Sequence, residues 1–99
     1  MTSNTVKRLY VLVSKRLSPV YACVQGGHAV AQYLLEHPQQ QWNNEFLIYL
    51  YADVDKWKYK LRDKHKEYSS FYEPDLGNTL TAIAVEDSGE MFKNLKLVQ

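Results

Sequence analysis

The stretch Gln25-Gly26-Gly27-His28-Ala29-Val30 decides the fold, because it puts two adjacent glycines into a helix that follows a short apolar strand. Each glycine costs a helix about 1 kcal/mol relative to alanine. We therefore expect the backbone here to approach the sheet or a ligand closely. Ser18 can cap this helix and Pro19 fits its first position, while Pro38 stops it. The pattern predicts a helix over Pro19–Glu36.

Apolar runs on both sides of this helix predict the remaining elements. The expected strands are Arg8–Ser14, 45–52, 68–72 and 80–85, and a second helix over 54–66 begins behind Asp53. Residues 1–5 are expected to fray, 88–93 to hold one helical turn, and 95–98 to close the chain. The order β-α-β-α-β-β implies one α/β domain over residues 1–99. Its sheet is expected to be four-stranded, mixed and mostly parallel, with helices packed on its faces.

The composition bounds the class of protein. The chain has 99 residues, 45% of them hydrophobic and 13% aromatic, which argues against disorder. Its net charge of +1 gives no overall bias towards nucleic acid. Cys23 is the single cysteine, so an intramolecular disulfide cannot form. No apolar run approaches the ~20 residues needed to span a bilayer. These features predict a soluble, cytoplasmic protein.

Polar side chains on the first helix mark the first candidate site. Tyr21, Gln25, His28 and Gln32 recur at helical spacing and line one face. Ligands of open α/β sheets usually bind beyond the carboxyl ends of the strands. If the first and third strands are neighbours, Gln25 and His28 of this helix face could converge on one cleft with four charged residues. These are Lys15, Arg16, Glu73 and Asp75.

Each candidate also has a structural interpretation. His28 can be a hydrogen-bonded structural histidine, Gln25 can bond neighbouring backbone, and Tyr21 can be a packed aromatic. Glu73 and Asp75 are typical turn residues beside a proline and a glycine. The basic residues of the second helix alternate, which favours a solvated face over an RNA-binding ridge. No Cys/His cluster suggests a metal site, and no cofactor is predicted.

Taken in order, several motifs resemble the second, archaeal and eukaryotic type of peptidyl-tRNA hydrolase. That family carries a helix reading roughly Ala-Ala-Gln-x-x-His-Ala, and the run 23–29 matches its glutamine, histidine and alanine in register. Trp42 has a counterpart after the helix, Leu80-Thr81-Ala82-Ile83-Ala84 resembles the late strand, and Asn94-Leu95-Lys96-Leu97-Val98 resembles the closing segment. The resemblance spans nearly the whole chain, and it implies the family's fold, a tRNA partner and a homodimer.

Two departures bear on activity. The family lysine four residues before the glutamine falls on Tyr21, and the family's Asp-Ala-Gly-Arg-Thr segment is replaced by Glu73-Pro74-Asp75-Leu76-Gly77-Asn78. The leading expectation is hydrolysis of the peptidyl-tRNA ester, and the alternative is an inactive relative that binds a nucleotide or nucleotide-derived signal. A third hypothesis, compatible with either, is an interaction module that pairs with itself or another protein through exposed aromatics among Tyr49, Tyr51, Tyr68 and Tyr72. The expected catalytic residues are Gln25, His28, Glu73 and Asp75, and the expected substrate-binding residues are Lys15, Arg16, Tyr21, Asn78 and Thr81.

Overall fold

The computed structural model describes residues 8–99, which form one mixed sheet with a helix on each face. The fraying predicted for residues 1–5 lies outside the described residues. The strands are β1 (Arg8–Ser14), β2 (Phe46–Ala52), β3 (Tyr68–Glu73), β4 (Thr79–Asp87) and β5 (Lys96–Leu97). The helices are α1 (Pro19–Glu36) and α2 (Val54–Asp63), and single 3₁₀ turns occur at Pro74–Leu76 and Glu90–Phe92.

The two helices begin where their capping residues predict. The Ser18 hydroxyl accepts from the Tyr21 N–H at 3.4 Å, with Pro19 in the first turn of α1. The Asp53 carboxylate accepts from the Lys56 N–H at 3.2 Å at the start of α2. Side-chain oxygens at these positions satisfy N–H groups that have no partner within the helix. The capping pattern in the sequence therefore fixed both starts correctly.

Two predictions about the sheet are wrong. The sheet has five strands in the order β3-β4-β1-β2-β5, because the last residues add a short strand that pairs Leu97 with Leu50 and covers the edge of β2. The sheet is also not mostly parallel, since β1–β2 is the one parallel pair among the described strands. The reason is local: a tight connection after β3 returns the chain as an antiparallel hairpin.

The returning strand β4 takes a central place between β3 and β1, so β1 and β3 are not neighbours. Both nevertheless run in the same direction, because each is antiparallel to β4. Their carboxyl ends therefore lie at the same edge of the sheet, with the start of β4 between them. This edge carries the candidate site.

The core lies on both faces of the sheet. Under α1 the buried side chains are Leu9, Val11, Val13, Ala22, Ala29, Tyr33, Ala82 and Ala84. Under α2 they are Tyr10, Leu12, Leu50, Ala52, Val54, Trp57, Leu61, Leu80, Ile83, Val85 and Phe92. Alternating residues of β1 supply the two sets, as the two-residue repeat of a strand requires. No helix among residues 8–99 is long and apolar enough to cross a membrane.

Candidate functional site

A chain of hydrogen bonds joins α1 to the adjacent ends of β3 and β4. The Thr81 hydroxyl donates to Gln25 Oε1 at 2.5 Å, and Gln25 Nε2 donates to Glu73 Oε1 at 2.7 Å. We call these three residues the Gln25 network. Gln25 is fully buried, whereas Glu73 is half-buried at the sheet edge. The network thus fixes a carboxylate that solvent can still reach.

A register shift between β3 and β4 aims Thr81 at Gln25. Phe71 pairs with Ala82 and Tyr72 pairs with Leu80, so Thr81 is an extra residue in β4. Leu80 packs in the core under α2 and Ala82 in the core under α1, although residues two apart in a regular strand share a face. Bulges of this kind often re-aim a side chain next to a functional site. Sequence reasoning missed the bulge, because its apolar pattern reads as an ordinary buried strand.

The small residues of α1 let it lie close to the sheet. A Cβ at Gly26 would overlap the ring of Tyr49 on β2, whose Cζ would be 2.9 Å away. Gly27 has open space in the same position. The predicted close approach therefore concerns one glycine of the pair, and it is made to the sheet.

Glu73 has a second bond that belongs to the turn after β3. Its Oε2 accepts from the Asp75 N–H at 3.2 Å, so Glu73 caps the 3₁₀ turn that begins at Pro74. The bond from Gln25 and the bond from Asp75 together hold the pKa of the Glu73 carboxyl below its usual range, with a smaller effect from the nearby His28. The carboxylate therefore stays ionised, and each oxygen keeps a lone pair for water or substrate.

His28 lies on the exposed side of the network. Its ring stacks flat on Phe71 of β3, with centroids 4.5 Å apart and planes 9° from parallel. Tyr21, one turn before Gln25, is 36% exposed on the same helix. The two side chains present aromatic surface and hydrogen-bonding groups to solvent beside the network.

The other predicted site residues do not join the network. Lys15 and Arg16 line a depression on the α2 side of the sheet edge, together with Asp53 and Asp55. The Asp75 side chain is exposed, and its contribution is the backbone N–H described above. Asn78 has a positive φ of 60° and closes the turn through its N–H to the Glu73 carbonyl at 2.9 Å. Of the nine predicted site residues, the structure brings together Gln25, His28, Glu73 and Thr81.

Within residues 8–99, no group of three or more His, Cys, Asp or Glu side chains is placed to hold a metal ion. The chemistry available at the site is that of a fixed carboxylate beside an imidazole, an amide and a hydroxyl. Such a set can orient and deprotonate water, or can bind a polar ligand with an aromatic face.

Comparison with known proteins gives a likeness of fold. No protein-family model matches the chain, and no curated protein matches it. Among solved structures, it is similar to a protein of unknown function from Agrobacterium tumefaciens strain C58, with a TM-score of 0.67 and 10% sequence identity. The match covers 92% of this chain and 96% of that chain. At this identity the likeness shows a shared fold, and the peptidyl-tRNA hydrolase resemblance stays a prediction from the sequence motifs.

Proposed function

We propose that this protein is related to the second type of peptidyl-tRNA hydrolase and hydrolyses the ester that joins a peptide to tRNA. The observation that carries the proposal is the Gln25 network. It fixes one ionised, solvent-accessible carboxylate at the carboxyl edge of an α/β sheet, where open α/β sheets usually bind ligands.

In the proposed mechanism, Glu73 accepts a hydrogen bond from the attacking water and takes its proton. The water oxygen bonds to the ester carbonyl carbon, and the carbon–oxygen bond to the ribose breaks. That proton passes to the ribose oxygen, which leaves as a hydroxyl, and the peptide leaves as a carboxylic acid that gives its remaining proton to solvent. Because the pKa of Glu73 is lowered, Glu73 is a weak base in this step, and orienting the water is the larger part of its role.

The neighbours of Glu73 have supporting roles in this proposal. Gln25 and Thr81 are positioning residues, since their hydrogen bonds act on the carboxylate from the buried side. His28 and Tyr21 face solvent on the same helix and can donate to the oxygen that becomes negative during attack. Asp75 fixes the second oxygen of Glu73 through its backbone.

The test is release of acetylated amino acid from an acetyl-aminoacyl-tRNA. We expect turnover by the wild type and a loss of about 10²-fold or more in kcat for Glu73→Gln. The matched control is Glu45→Gln, because within residues 8–99 the Glu45 carboxylate accepts only from nearby Asn43, at 3.2 Å. A folded wild type that releases no product at micromolar enzyme would refute hydrolysis, and so would full activity in Glu73→Gln.

A second candidate function is nucleotide binding without catalysis. It is favoured by the flat His28–Phe71 stack beside Tyr21, since aromatic faces bind bases by stacking. It is also favoured by the position of Lys15 and Arg16, which line a separate depression instead of joining the network. The test is thermal unfolding with added nucleotides: stabilisation that disappears in His28→Ala supports binding, and no stabilisation by any nucleotide contradicts it.

We further propose a cytoplasmic homodimer. Val20, Val24 and Leu35 lie on one side of α1 and are 78%, 50% and 79% exposed, and exposed apolar patches often mark interfaces. The exposed thiol of Cys23 is compatible with a reducing compartment. Sedimentation at high micromolar concentration should give a dimer mass for the wild type and a monomer mass for Val24→Asp. A monomeric wild type would refute the dimer.

A further inference from the structure

The basic side chains of α2 and its surroundings divide into two sets by their contacts. In the first set each side chain has a partner: Lys58 bonds the Tyr72 hydroxyl, Arg62 lies 3.9 Å from Asp63, and Lys93 lies 3.0 Å from Glu90. In the second set no ammonium group has a hydrogen bond or ion pair with another residue of the range 8–99. That set includes Lys15, Lys56, Lys60 and Lys64.

The second set is also arranged in space. Lys56, Lys60 and Lys64 follow one another at four-residue intervals, so they line one side of α2 with a rise of about 6 Å between neighbours. The Lys15 N–H donates to the Ala52 carbonyl at 3.3 Å, which places this residue just before the start of α2. The four lysines therefore form one line that begins at the sheet edge and runs along α2.

These lysines border a groove. A depression of about 400 Å³ is lined by Lys15, Lys56 and Lys60 together with Trp57 and Asn94. An adjoining depression of about 490 Å³ continues past Met91 to Lys64. Lys60 Nζ lies 4.5 Å from the centroid of the Trp57 ring, which holds this ammonium group over the groove. We call this surface the lysine groove.

The charge balance of the lysine groove is positive. Its two carboxylates are Asp53 and Asp63, against four lysines. Asp53 is engaged as the cap of α2, and the Asp63 carboxylate forms an ion pair with Arg62 at 3.9 Å. A surface that keeps its cations unpaired at regular spacing attracts a polyanion with regularly spaced charges.

The groove also has a defined position relative to the Gln25 network. Along the sheet edge the strands follow the order β3, β4, β1 and β2. Since neighbouring strands are about 4.8 Å apart, the end of β1, which precedes Lys15, lies roughly 10 Å from the end of β3 at Glu73. A nucleic acid whose terminal ester lies at Glu73 is therefore long enough to place a backbone phosphate near Lys15, at the sheet-edge end of the groove.

We propose that the lysine groove binds the phosphodiester backbone of tRNA. The choice of tRNA over another polyanion rests on the proposed function, whereas the groove itself rests on the contacts and spacing above. The indole of Trp57 is 9% exposed and the Tyr51 hydroxyl donates to the Leu17 carbonyl. The groove residues therefore contact the phosphates of a nucleic acid through their ammonium groups, and the aromatic rings that line the groove have no free face on which a base can stack.

The experiment measures binding of deacylated tRNA by fluorescence anisotropy over a range of KCl concentrations. Deacylated tRNA lacks the acyl ester that the proposed reaction would hydrolyse, so binding is measured apart from hydrolysis. The groove variant is Lys56→Gln/Lys60→Gln/Lys64→Gln. The matched control is Lys58→Gln/Arg62→Gln/Lys93→Gln, which removes the same charge from side chains that have partners.

We expect the groove variant to weaken binding about tenfold or more at low salt and to lower the slope of log Kd against log salt by about 3. The control should change Kd by less than about threefold. Equal weakening in the two variants would overturn the proposal, because it would show that net charge alone matters. Failure of the folded wild type to bind tRNA would also overturn it, and polyglutamate binding with the same lysine dependence would then assign the groove to an acidic protein.

The two proposals can fail separately. Groove-dependent binding of tRNA by a protein that releases no acetylated amino acid refutes hydrolysis and supports the groove. Hydrolysis with a KM that the groove variant leaves unchanged supports the proposed function and refutes the groove.

Discussion

Helices α1 and α2 cover opposite faces of one sheet, but they hold their polar side chains in opposite ways. In the 18 residues of α1, Glu36 is the one Asp, Glu, Lys or Arg, and the Gln25 amide is fully buried and bonded. In the ten residues of α2, six are charged, and Lys56 and Lys60 are exposed without a bonded partner among residues 8–99. On the α1 side, the hydrogen bonds that form the candidate site therefore also contribute to the free energy of unfolding. On the α2 side, the lysines are free to bind another molecule.

The sharpest way to test this contrast is to remove Gln25. Gln25→Ala leaves a cavity and strips bonds from Thr81 and Glu73, so we expect a loss of about 2–4 kcal/mol in the free energy of unfolding. The control is Gln32→Ala, also on α1, whose amide bonds Glu36 within the same helix and whose loss costs about 0.5 kcal/mol or less. The measurement is urea unfolding followed by circular dichroism.

The same measurement tests the α2 side. The triple substitution Lys56→Gln/Lys60→Gln/Lys64→Gln removes no bonded pair, so its stability should stay within about 0.5 kcal/mol per site of the wild type. A large loss here, or a negligible loss in Gln25→Ala, would mean that the two faces do not differ in this way.

The paired glycines give a second test within α1 alone. Alanine at Gly26 collides with the Tyr49 ring, so we expect Gly26→Ala to cost about 1–3 kcal/mol. Alanine at Gly27 meets open space and gains helix propensity, so Gly27→Ala should stabilise by up to about 1 kcal/mol. We therefore expect the two substitutions to change the free energy of unfolding in opposite directions. A change in the same direction would contradict the described packing of Gly26 against Tyr49 of β2.

Local sequence signals predicted the fold best where capping and stop residues were present. The bounds of β1 and α1 match those expected, since Ser18 and Pro19 fix the start of α1. The second helix ends at Asp63 instead of residue 66, because His65 takes a positive φ of 55° that no helix accommodates. The helical turn expected within 88–93 is the 3₁₀ turn Glu90–Phe92.

Long-range pairing was harder to predict, and the site depends on it. The central position of β4 and the short fifth strand are set by packing and by edge protection, which leave little trace in a local pattern. The polar line on α1 contains Gln25 and His28, which the structure places near Glu73, but the position of Thr81 depends on a bulge. The separation of Lys15 and Arg16 from the network follows from strand order and could not be read from spacing.

The smallest expected effect concerns the ionisation of two glutamates beside α1. The pKa of Glu73 is lowered first by the Gln25 amide, and the pKa of Glu36 is lowered first by the Ser69 hydroxyl, which donates at 2.6 Å. We expect Gln25→Leu to raise the pKa of Glu73 and leave that of Glu36 unchanged, and Ser69→Ala to do the reverse. A carboxyl ¹³C NMR titration of the two variants measures both groups at once, so each variant is the control for the other.

The sign of the linked pH effect follows from these directions. A folded-state pKa below the unfolded value of about 4.5 means that the unfolded chain takes up the proton first as pH falls. The bond from Gln25 to Glu73 therefore stabilises the fold fully above that pH and ceases to do so as pH falls through the folded-state pKa. The stability gap between wild type and Gln25→Leu should narrow on acidification. A gap that is constant with pH would show that Gln25 supports the fold without acting on the Glu73 carboxylate, and it would remove the link between the buried amide and the proposed catalytic group.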